Sequence, residues 1–559
     1  MTDFRRSLLW VVFGLSLVML WDRWQVHNGN APLFFSAPAA QKAAESAPAQ
    51  TPGTVPANAQ ASQVPGGVAT QASERIEVVS DVLSLTFDSE GGNIVGSVLR
   101  KVPSNTGDAA SLAEPLVLMR KDAEHTYVAQ SGVAGLNAPN HTQPMSLLTS
   151  ERALAEGQDS VQVKYASDVV GGLQLVKTYT LRRGSYVVDV SFEIANRSDQ
   201  AQSAKLYTQL VRDDQQGESS TPFYTTFTGP AVYTSEQKFQ KVGFEDISKG
   251  KADFVSQAKD GYIAMVQHYF ASAWLLPEGL ARENVAVETQ KQPKPMFAIR
   301  SIADLGEIAP GQSQTLNARL FMGPQEERVL ETIAPGLELV KDYGWVTMLA
   351  KPLYWLLEQI HRLAGNWGWS IVLLVVLIKA AFYWLNASAS RSMAKMKALN
   401  PRITDMRARL KDNPQQMQQE MMRIYREEKV NPLGGCLPIM VQIPVFIALY
   451  WVLLSSVEMR NAPWALWITD LSSKDPYYVL PVIMTLTTLL QTALNPLPPD
   501  PLQAKLMWLM PLAFAVMFFQ FPAGLVLYWI TNNSLTILQQ WQINHSMGVK
   551  LKINLPKFR

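Results

Sequence analysis

The chain has little of several features that mark common classes of protein. Its 559 residues include one Cys, which excludes a disulfide scaffold. Charged residues make up 17% of the sequence, against roughly 25% in soluble proteins. The formal net charge is only +2, so the overall charge gives no reason to expect nucleic-acid binding.

The sequence also lacks the usual signatures of a metal or catalytic site. Its six His residues are scattered, with no HExxH motif and no paired metal-ligand spacing. His268 lies in an apolar, strand-like run, where a lone His is usually structural. The residues therefore predict no metal site and offer poor catalytic candidates.

The N-terminus has the pattern of a membrane anchor. Arg5 and Arg6 precede an apolar stretch over residues 7–21, which Asp22 and Arg23 close. Bulky and charged residues follow the stretch, whereas a cleaved signal peptide ends in small residues. We therefore predict an uncleaved signal anchor with a cytoplasmic N-terminus, because the positive charges lie on that side.

Five further apolar runs cluster in the C-terminal third of the chain. Several are shorter than the ~20 residues that cross an average bilayer, and two of them are also compatible with a buried helical hairpin. Clustering and the Trp and Tyr residues at their edges favour membrane spans, six in all with the anchor. The runs are 367–385, 437–457, 477–494, 506–521 and 523–538.

The charges of the connecting segments predict the topology. Residues 387–432 carry ten Lys or Arg and five Asp or Glu, and the tail after Trp541 carries four basic residues and no acid. The segment 456–476 has two basic and three acidic residues. The positive-inside rule places both termini and the 387–432 hairpin in the cytoplasm, and the long segment between spans one and two outside.

The external segment has three parts with different compositions. Residues 31–73 contain thirteen Ala, six Pro and only two charges, which predicts an extended tether. From about Ile76 to Met322, period-two alternation with turn signals predicts an antiparallel β-sandwich. Residues 338–363 are aromatic and apolar and are interrupted by Pro352, which predicts a helix flat on the outer membrane face or a short connecting helix packed on the spans.

The predicted fold class is thus a multidomain membrane protein, with a helical transmembrane bundle and a large all-β domain. Its segments are the anchor (1–24), the tether (25–73), the β domain (74–335), the interfacial helix (336–364), span two (365–386), the basic hairpin (387–432), spans three to six (433–541) and the basic tail (542–559).

One cation, Lys379, lies inside the second span. An ionisable side chain there is costly and usually faces a partner or water. Arg391, which marks the inner surface, is twelve residues away, or about 18 Å along a helix, so the lysine stem is too short for complete snorkelling. The spans contain no Asp or Glu, and we therefore expect Lys379 to face a wet cavity.

Other polar side chains in the spans either join helices by hydrogen bonds or line one groove with Lys379. They are Gln442, Gln491, Thr531, Asn532, Asn533 and Ser534.

The basic hairpin has a stripe of apolar residues at helical spacing, which predicts two helices packed as an antiparallel pair around a turn at 412–414. Met is also adaptable to varied apolar partners, and the surrounding basic residues suit anionic phospholipid or ribosomal RNA. The stripe includes Met393, Met396, Met406, Met417 and Met421.

Several motifs in order resemble the YidC/Oxa/Alb family of membrane insertases, in its six-span bacterial form with a large periplasmic domain. The resemblance covers essentially the whole chain apart from the tether. The motifs are GNWGWS (365–370), SMAKM (392–396), NPLGGC (431–436), WITDL (467–471) and FPAGLVLYW (521–529).

The resemblance implies a bacterial inner-membrane insertase and chaperone without covalent chemistry, catalytic residues, cofactors or a small-molecule substrate. A cation in a groove open to cytoplasm and lipid would attract acidic residues of a short extracellular tail, and Lys379 occupies that position. The groove amides would be Gln442, Asn532 and Asn533. The implied substrate contacts are Gln442, Ile443, Pro444, Tyr528 and Trp529.

The resemblance also implies partners. These are nascent membrane proteins, the Sec translocon with its accessory subunits through a periplasmic supersandwich, and the ribosome and signal-recognition machinery through the hairpin, the 495–503 loop and the tail. Three positions depart from the family pattern: Lys379 replaces an arginine, Val375 a threonine and Trp384 a proline.

Two other classes of function are disfavoured by the residues. A Ser/Lys intramembrane hydrolase needs a serine beside Lys379, but Ser370 is more than two helical turns away and Ser534 is unplaced. A proton-coupled transporter needs a carboxylate relay, which the spans lack, and they show no inverted repeat. A structural assembly chaperone overlaps with the insertase.

Overall fold

The computed structural model describes residues 64, 73–104, 114–135, 137–215, 226–410, 413–428, 437–495 and 501–546. The described residues divide into two compact units, with those up to Lys341 in the first and those from Asp342 in the second. The signal anchor, most of the tether and the tail beyond residue 546 lie outside the described residues.

The first unit contains two antiparallel sheets of nine strands each. The first sheet has the order β1-β2-β3-β4-β5-β10-β17-β16-β13, and the second has the order β12-β11-β14-β15-β18-β9-β8-β7-β6. The strands are β1 (Arg75–Val79), β2 (Leu83–Asp88), β3 (Asn93–Pro103), β4 (Pro115–Lys121), β5 (Thr126–Val133), β6 (Met145–Leu147), β7 (Ser160–Ser167), β8 (Leu173–Arg182), β9 (Val187–Asn196), β10 (Gln202–Asp213), β11 (Gly229–Thr234), β12 (Lys238–Lys241), β13 (Gln257–Ala258), β14 (Tyr262–Val266), β15 (Phe270–Leu275), β16 (Arg282–Gln290), β17 (Met296–Ile308) and β18 (Ser313–Pro324).

The alternation of the sequence produces this sandwich. Every second residue of β8, from Leu173 to Leu181, is buried, and those between them are partly exposed. Side chains on one face of each sheet therefore share a single core, which includes Phe87, Phe192 and Trp274. The predicted β-sandwich is confirmed. His268 lies in the turn between β14 and β15 and stacks on Tyr269, not within a strand as we expected.

A lysine in this core joins the two sheets. Lys177 of β8 is fully buried, and its Nζ donates hydrogen bonds to the carbonyls of Gly91 (2.6 Å) and Ser131 (2.7 Å). Gly91 lies in the β2–β3 turn and Ser131 in β5, both belonging to the first sheet. Because both acceptors are neutral, burial lowers the pKa of Lys177 to about 7.

This lysine makes the stability of the β-sandwich depend on pH. The unfolded state binds the extra proton between about pH 7 and 10.5, so stability rises with pH through that window. We expect the opening free energy of β8 to increase by about 2 kcal/mol from pH 7 to 9. Hydrogen exchange of β8 amides in the full chain, corrected for intrinsic rates, measures it. The same slope in Lys177→Met would contradict the assignment.

Three short elements follow or interrupt the strands of the first unit. Helix α1 (Phe244–Ser248) lies between β12 and β13, and helix α2 (Glu327–Ile333) follows β18. A 3₁₀ turn over Leu337–Val340 follows α2. Leu330 and Leu337 are fully buried on the second sheet, against residues such as Tyr233 and Tyr262, and so this segment covers part of its outer face.

The second unit is helical. The five apolar runs of the sequence each form a helix, although their ends differ from the predicted bounds. Among the residues described, no helix combines the length and apolar character required of a membrane span. The helices are α3 (Thr347–Ala364), α4 (Trp367–Ala381), α5 (Tyr383–Arg409), α6 (Pro414–Glu427), α7 (Leu437–Ser455), α8 (Val479–Leu494), α9 (Pro501–Phe518) and α10 (Ala523–Ser546).

Local sequence accounts for several of these boundaries. Asn366 caps α4 by accepting a hydrogen bond from the Trp369 amide at 3.1 Å. Asn413 caps α6 in the same way, with Pro414 at the first helical position. Helix α3 continues through Pro352. A proline there removes only one helical hydrogen bond.

Helices α5 and α6 pack on each other through the apolar stripe of the basic hairpin. Ile403, Met406 and Ile424 are buried at the contact, where Met417 and Met421 are partly buried. Met393 and Met396 lie on α5, and their side chains are outside the described part of the structure.

Candidate functional site

A cavity lies between helices α4, α5, α7 and α10, and Lys379 of α4 is part of its wall. It has a volume of about 30 Å³ for water-sized solvent and is partly open. Its lining is apolar apart from the Lys379 ammonium, the Tyr528 phenol and the side-chain amides of Gln442, Asn532 and Asn386. The lining residues are Val375, Ile378, Lys379, Phe382, Leu385, Asn386, Gln442, Val445, Tyr528 and Asn532.

Lys379 is hydrogen-bonded within this cavity. Its Nζ donates to the Thr536 hydroxyl at 2.8 Å, and that hydroxyl donates to the Asn532 carbonyl at 2.7 Å. No carboxylate lines the cavity among the residues described. The ammonium therefore has a neutral partner, and no described carboxylate forms a salt bridge with it.

Two of the predicted groove amides meet at the same cavity. Gln442 Nε2 of α7 donates to Asn532 Oδ1 of α10 at 2.6 Å. Tyr528 is one helical turn before Asn532 and lines the cavity on the same face of α10. The cavity thus presents a cation, amides and a phenol that are suited to replace water around a polar peptide segment.

The other predicted site residues lie elsewhere. Asn533 is 3% exposed and donates to the hydroxyls of Thr487 and Thr488 of α8, at 3.3 and 2.9 Å, so it faces away from the cavity. Trp529 packs edge-on against Phe446. Ile443 is 50% exposed on α7. Pro444, the next residue of α7, is partly exposed and is also absent from the cavity wall.

The sequence contained a signal for one residue that we did not select. Thr536 follows Tyr528 and Asn532 at intervals of four, which places the three on one face of α10. Thr536 provides the direct partner of Lys379. Asn386 of α5 was also not selected, because it lies just beyond the predicted apolar run.

The departures from the family pattern have different consequences. Val375 is 2% exposed and lines the cavity, so this part of the wall is apolar where the family resemblance implies a threonine hydroxyl. Trp384 is 75% exposed and contributes nothing to the cavity wall. The break between α4 and α5 occurs at Phe382 without a proline.

No serine is placed to act with Lys379 in the part of the chain that the structure describes. The Ser370 hydroxyl donates to the Asn366 carbonyl of its own helix at 2.7 Å. Ser534 is exposed, and it is absent from the cavity lining. The hydroxyl that contacts Lys379, Thr536, donates its proton to a backbone carbonyl. The geometry does not favour a Ser/Lys hydrolase.

The Gln442–Asn532 pair makes a measurable prediction. Gln442→Leu leaves the buried Asn532 oxygen without a donor, and we expect it to destabilise the helical unit by about 1–2 kcal/mol. Adding Asn532→Leu should recover most of this loss, because both polar groups are then removed. Thermal unfolding of the four variants in detergent gives the coupling energy. Additive losses would show that the two amides do not interact.

The loop that joins α7 to α8 packs onto one end of the helical unit. Asp475 accepts hydrogen bonds from Trp467 Nε1 (3.0 Å) and the Leu480 amide (2.7 Å). The Ala523 and Gly524 amides at the start of α10 donate to carbonyls of the loop at 2.7 and 2.9 Å. Met459, Ile468 and Leu471 of the loop belong to the same apolar core as α4 and α10. This end of the helical unit is therefore covered by a well-packed loop.

Comparisons with known proteins agree with this division into two parts. The family model described as "YidC periplasmic domain" matches residues 75–356, and the one described as "60Kd inner membrane protein" matches residues 359–550. The first match covers the β domain and the start of the helical unit to residue 356, and the second covers the helices that follow α3 together with the end of α3.

Relatives of similar length match nearly the whole chain. Membrane protein insertase YidC of Cupriavidus metallidurans is 50% identical, and that of Cupriavidus taiwanensis is 51% identical, each over 98% of both chains. A crystal structure of an active YidC insertase with its first transmembrane domain resolved aligns at 18% identity. It covers 86% of this chain and 95% of its own, with a TM-score of 0.38, too low to establish a shared fold by itself. On the family models and the relatives, the chain belongs to the YidC family of membrane protein insertases.

Proposed function

We propose that the chain inserts nascent membrane proteins into the bacterial inner membrane through the cavity at Lys379. The observation that carries this proposal is the ammonium of Lys379, held by the Thr536 hydroxyl in a cavity with amide groups and no described carboxylate. A substrate tail with acidic residues brings the missing negative charge. The Gln442–Asn532 pair and Asn386 provide hydrogen bonds for its backbone.

The chemistry of insertion is non-covalent. A polar tail crosses hydrocarbon at a high cost because its backbone groups lose water, and a partly hydrated cavity lowers that cost. The apolar helix of the substrate then moves into lipid, which is favourable by roughly 25 cal/mol per Å² of apolar surface removed from water. We assign Ile443, Pro444, Tyr528 and Trp529 to the side on which the substrate leaves.

We propose six membrane spans with both termini in the cytoplasm. The anchor at 1–24 and the runs in α4, α7, α8, α9 and α10 form the spans, and α3 lies on the outer membrane surface. The distribution of charge supports this topology, since the 387–432 hairpin and the tail are basic. The exposed apolar residues of α3, Met348, Trp355 and Leu363, suit a membrane surface.

We assign partners by the chemistry of the surfaces. The β domain meets the Sec translocon and its accessory subunits outside the membrane. The basic hairpin, with its Met stripe, and the tail meet the ribosome, the signal-recognition machinery and anionic phospholipid in the cytoplasm. The exposed Arg402 and Arg423 of the hairpin are paired with Glu427 and Glu428, so its free basic surface is smaller than its composition indicates.

Reconstitution of the purified chain alone into liposomes tests the function. We expect the external tail of a small single-span substrate to become protected inside the vesicles without a translocon. A protein that acts only as an assembly chaperone would bind the substrate but leave the tail accessible to protease.

A further inference from the structure

The outer face of the first sheet, away from the sandwich core, carries a buried polar row. Leu206 and Leu210 of β10 lie in the core, so Tyr207 and Gln209 point to the outer face. Gln209 is opposite Gln130 of β5 and Arg300 of β17. The three polar residues of this row are only 1%, 4% and 2% exposed, respectively.

Two groups of this row lack partners in the part of the chain that the structure describes. Gln209 Nε2 donates to Gln130 Oε1 at 2.7 Å. Gln209 Oε1 accepts no hydrogen bond, and the Nε of Arg300 donates none. Leaving a buried acceptor and a buried donor unpaired is destabilising. Such a pair, opposite each other on adjacent strands, suits one peptide group, which has an N–H to donate and a C=O to accept.

The charge of Arg300 also fits a backbone ligand. Burial lowers the pKa of Arg300 to about 10, so its guanidinium remains charged at neutral pH. No carboxylate forms a salt bridge with Arg300 among the described residues. A carbonyl dipole satisfies a guanidinium N–H without bringing a second charge into a buried site.

One residue of the tether already lies on this face. Val64 is 5% exposed and packs against Tyr207 and Ile302, with Ala134 and Val285 around it. Tyr207 and Ile302 are paired across β10 and β17, two residues from the Gln209–Arg300 pair. Two residues of strand span about 7 Å, which is also the reach of two extended residues of a docked chain.

We propose that the tether docks on the outer face of the first sheet, with Val64 in the Tyr207–Ile302 site and a neighbouring peptide group bonded to Arg300 and Gln209. The sequence around Val64 suits a segment docked on a sheet, because residues 57–72 contain no charged side chain and include two adjacent glycines. An uncharged, small-residue strand can lie close to a sheet face. The free spacer then ends before Val64, so the domain is held on a shorter linker than the composition indicates.

Hydrogen exchange of the full-length protein in detergent tests the docking without any mutation. We expect amides of residues 61–70 to exchange on the order of tenfold more slowly than their intrinsic rates, as docked segments do, whereas those of residues 50–59 exchange at intrinsic rates. Intrinsic rates in both segments would overturn the proposal.

Arg300→Met separates ligand binding from a structural role. If Arg300 holds the tether, protection of residues 61–70 is lost while exchange in β8 and β9 is unchanged. If Arg300 only supports the sandwich, exchange in β8 and β9 accelerates together with that of the tether. The second outcome would overturn the assignment of Arg300.

Disulfide trapping locates the contact. In a Cys436→Ser background, Val64→Cys with Ile302→Cys should form an intramolecular disulfide at least tenfold faster than Val55→Cys with Ile302→Cys. Val55 is a matched control, because both valines precede a proline in the same tether. Equal rates for the two pairs would show that Val64 has no preferred position on the sheet.

Discussion

Lys379→Glu should reduce the insertion of substrates with acidic external tails at least tenfold, whereas Lys379→Arg should retain it within about twofold. A unit charge about 4 Å from another interacts by about 4 kcal/mol at an effective dielectric constant of 20. Reversing the charge turns this attraction into repulsion, so tenfold is a modest expectation. Arginine keeps the charge and can also donate to the Thr536 hydroxyl. A protease-protection assay of tail translocation measures the effect.

A substrate series provides the control for this prediction. Replacing the acidic residues of the tail by their amides should reduce the difference between wild type and Lys379→Glu to about twofold. A basic tail should be inserted at least as well by the Glu variant as by wild type. Equal insertion of the acidic substrate by wild type and the Glu variant would contradict a role for the charge of Lys379.

Gly368→Ala should destabilise the helical unit by about 3 kcal/mol, at the upper end of the range for overpacking. A Cβ at Gly368 lies 2.2 Å from Trp464 Cδ1 and 2.4 Å from Cγ, so the indole must move. The loop around Trp464 is held in place, since Asn366 Nδ2 donates to the carbonyls of Pro463 and Trp464. Thermal unfolding of the purified chain in detergent measures the loss.

A neighbouring glycine provides a matched control. A Cβ at Gly365 meets no atom within 4 Å, and only its left-handed backbone, with φ of 64°, disfavours alanine. Gly365→Ala should therefore cost about 1 kcal/mol. Equal losses in the two variants would show that the loop does not pack as closely on α4 as the structure indicates.

Local patterns predicted the elements that are set by local chemistry. Alternation of apolar residues identified the β-sandwich, and the Asn-Pro turn identified the hairpin between α5 and α6. The order of strands was beyond these patterns, because β10 pairs with β17, nearly one hundred residues later in the chain. Such pairing depends on how the two sheets close around a shared core, which no local window contains.

In the candidate site, too, local sequence predicted some features, whereas others depended on how the helices pack. The charge of Lys379 marked it from the sequence, since no other residue of its run carries a charge at neutral pH. The amides were harder to assign: Asn532 and Asn533 are adjacent, yet one faces Gln442 and the other faces the hydroxyls of α8. Consecutive residues of a helix point about 100° apart. Assigning them required the position of α10 between α7 and α8, whereas the Tyr528–Asn532–Thr536 spacing was readable in advance.

Site-specific photo-crosslinking to a nascent substrate tests most directly whether the cavity is the path of insertion. Probes at Tyr528, which lines the cavity, and at Ile443, on the proposed exit side, should both form adducts with the substrate's apolar segment. A probe at Asn533, on the same helix but directed at α8, should form none. Adducts of equal yield from Asn533 and Tyr528, or none from Tyr528, would contradict insertion through the cavity.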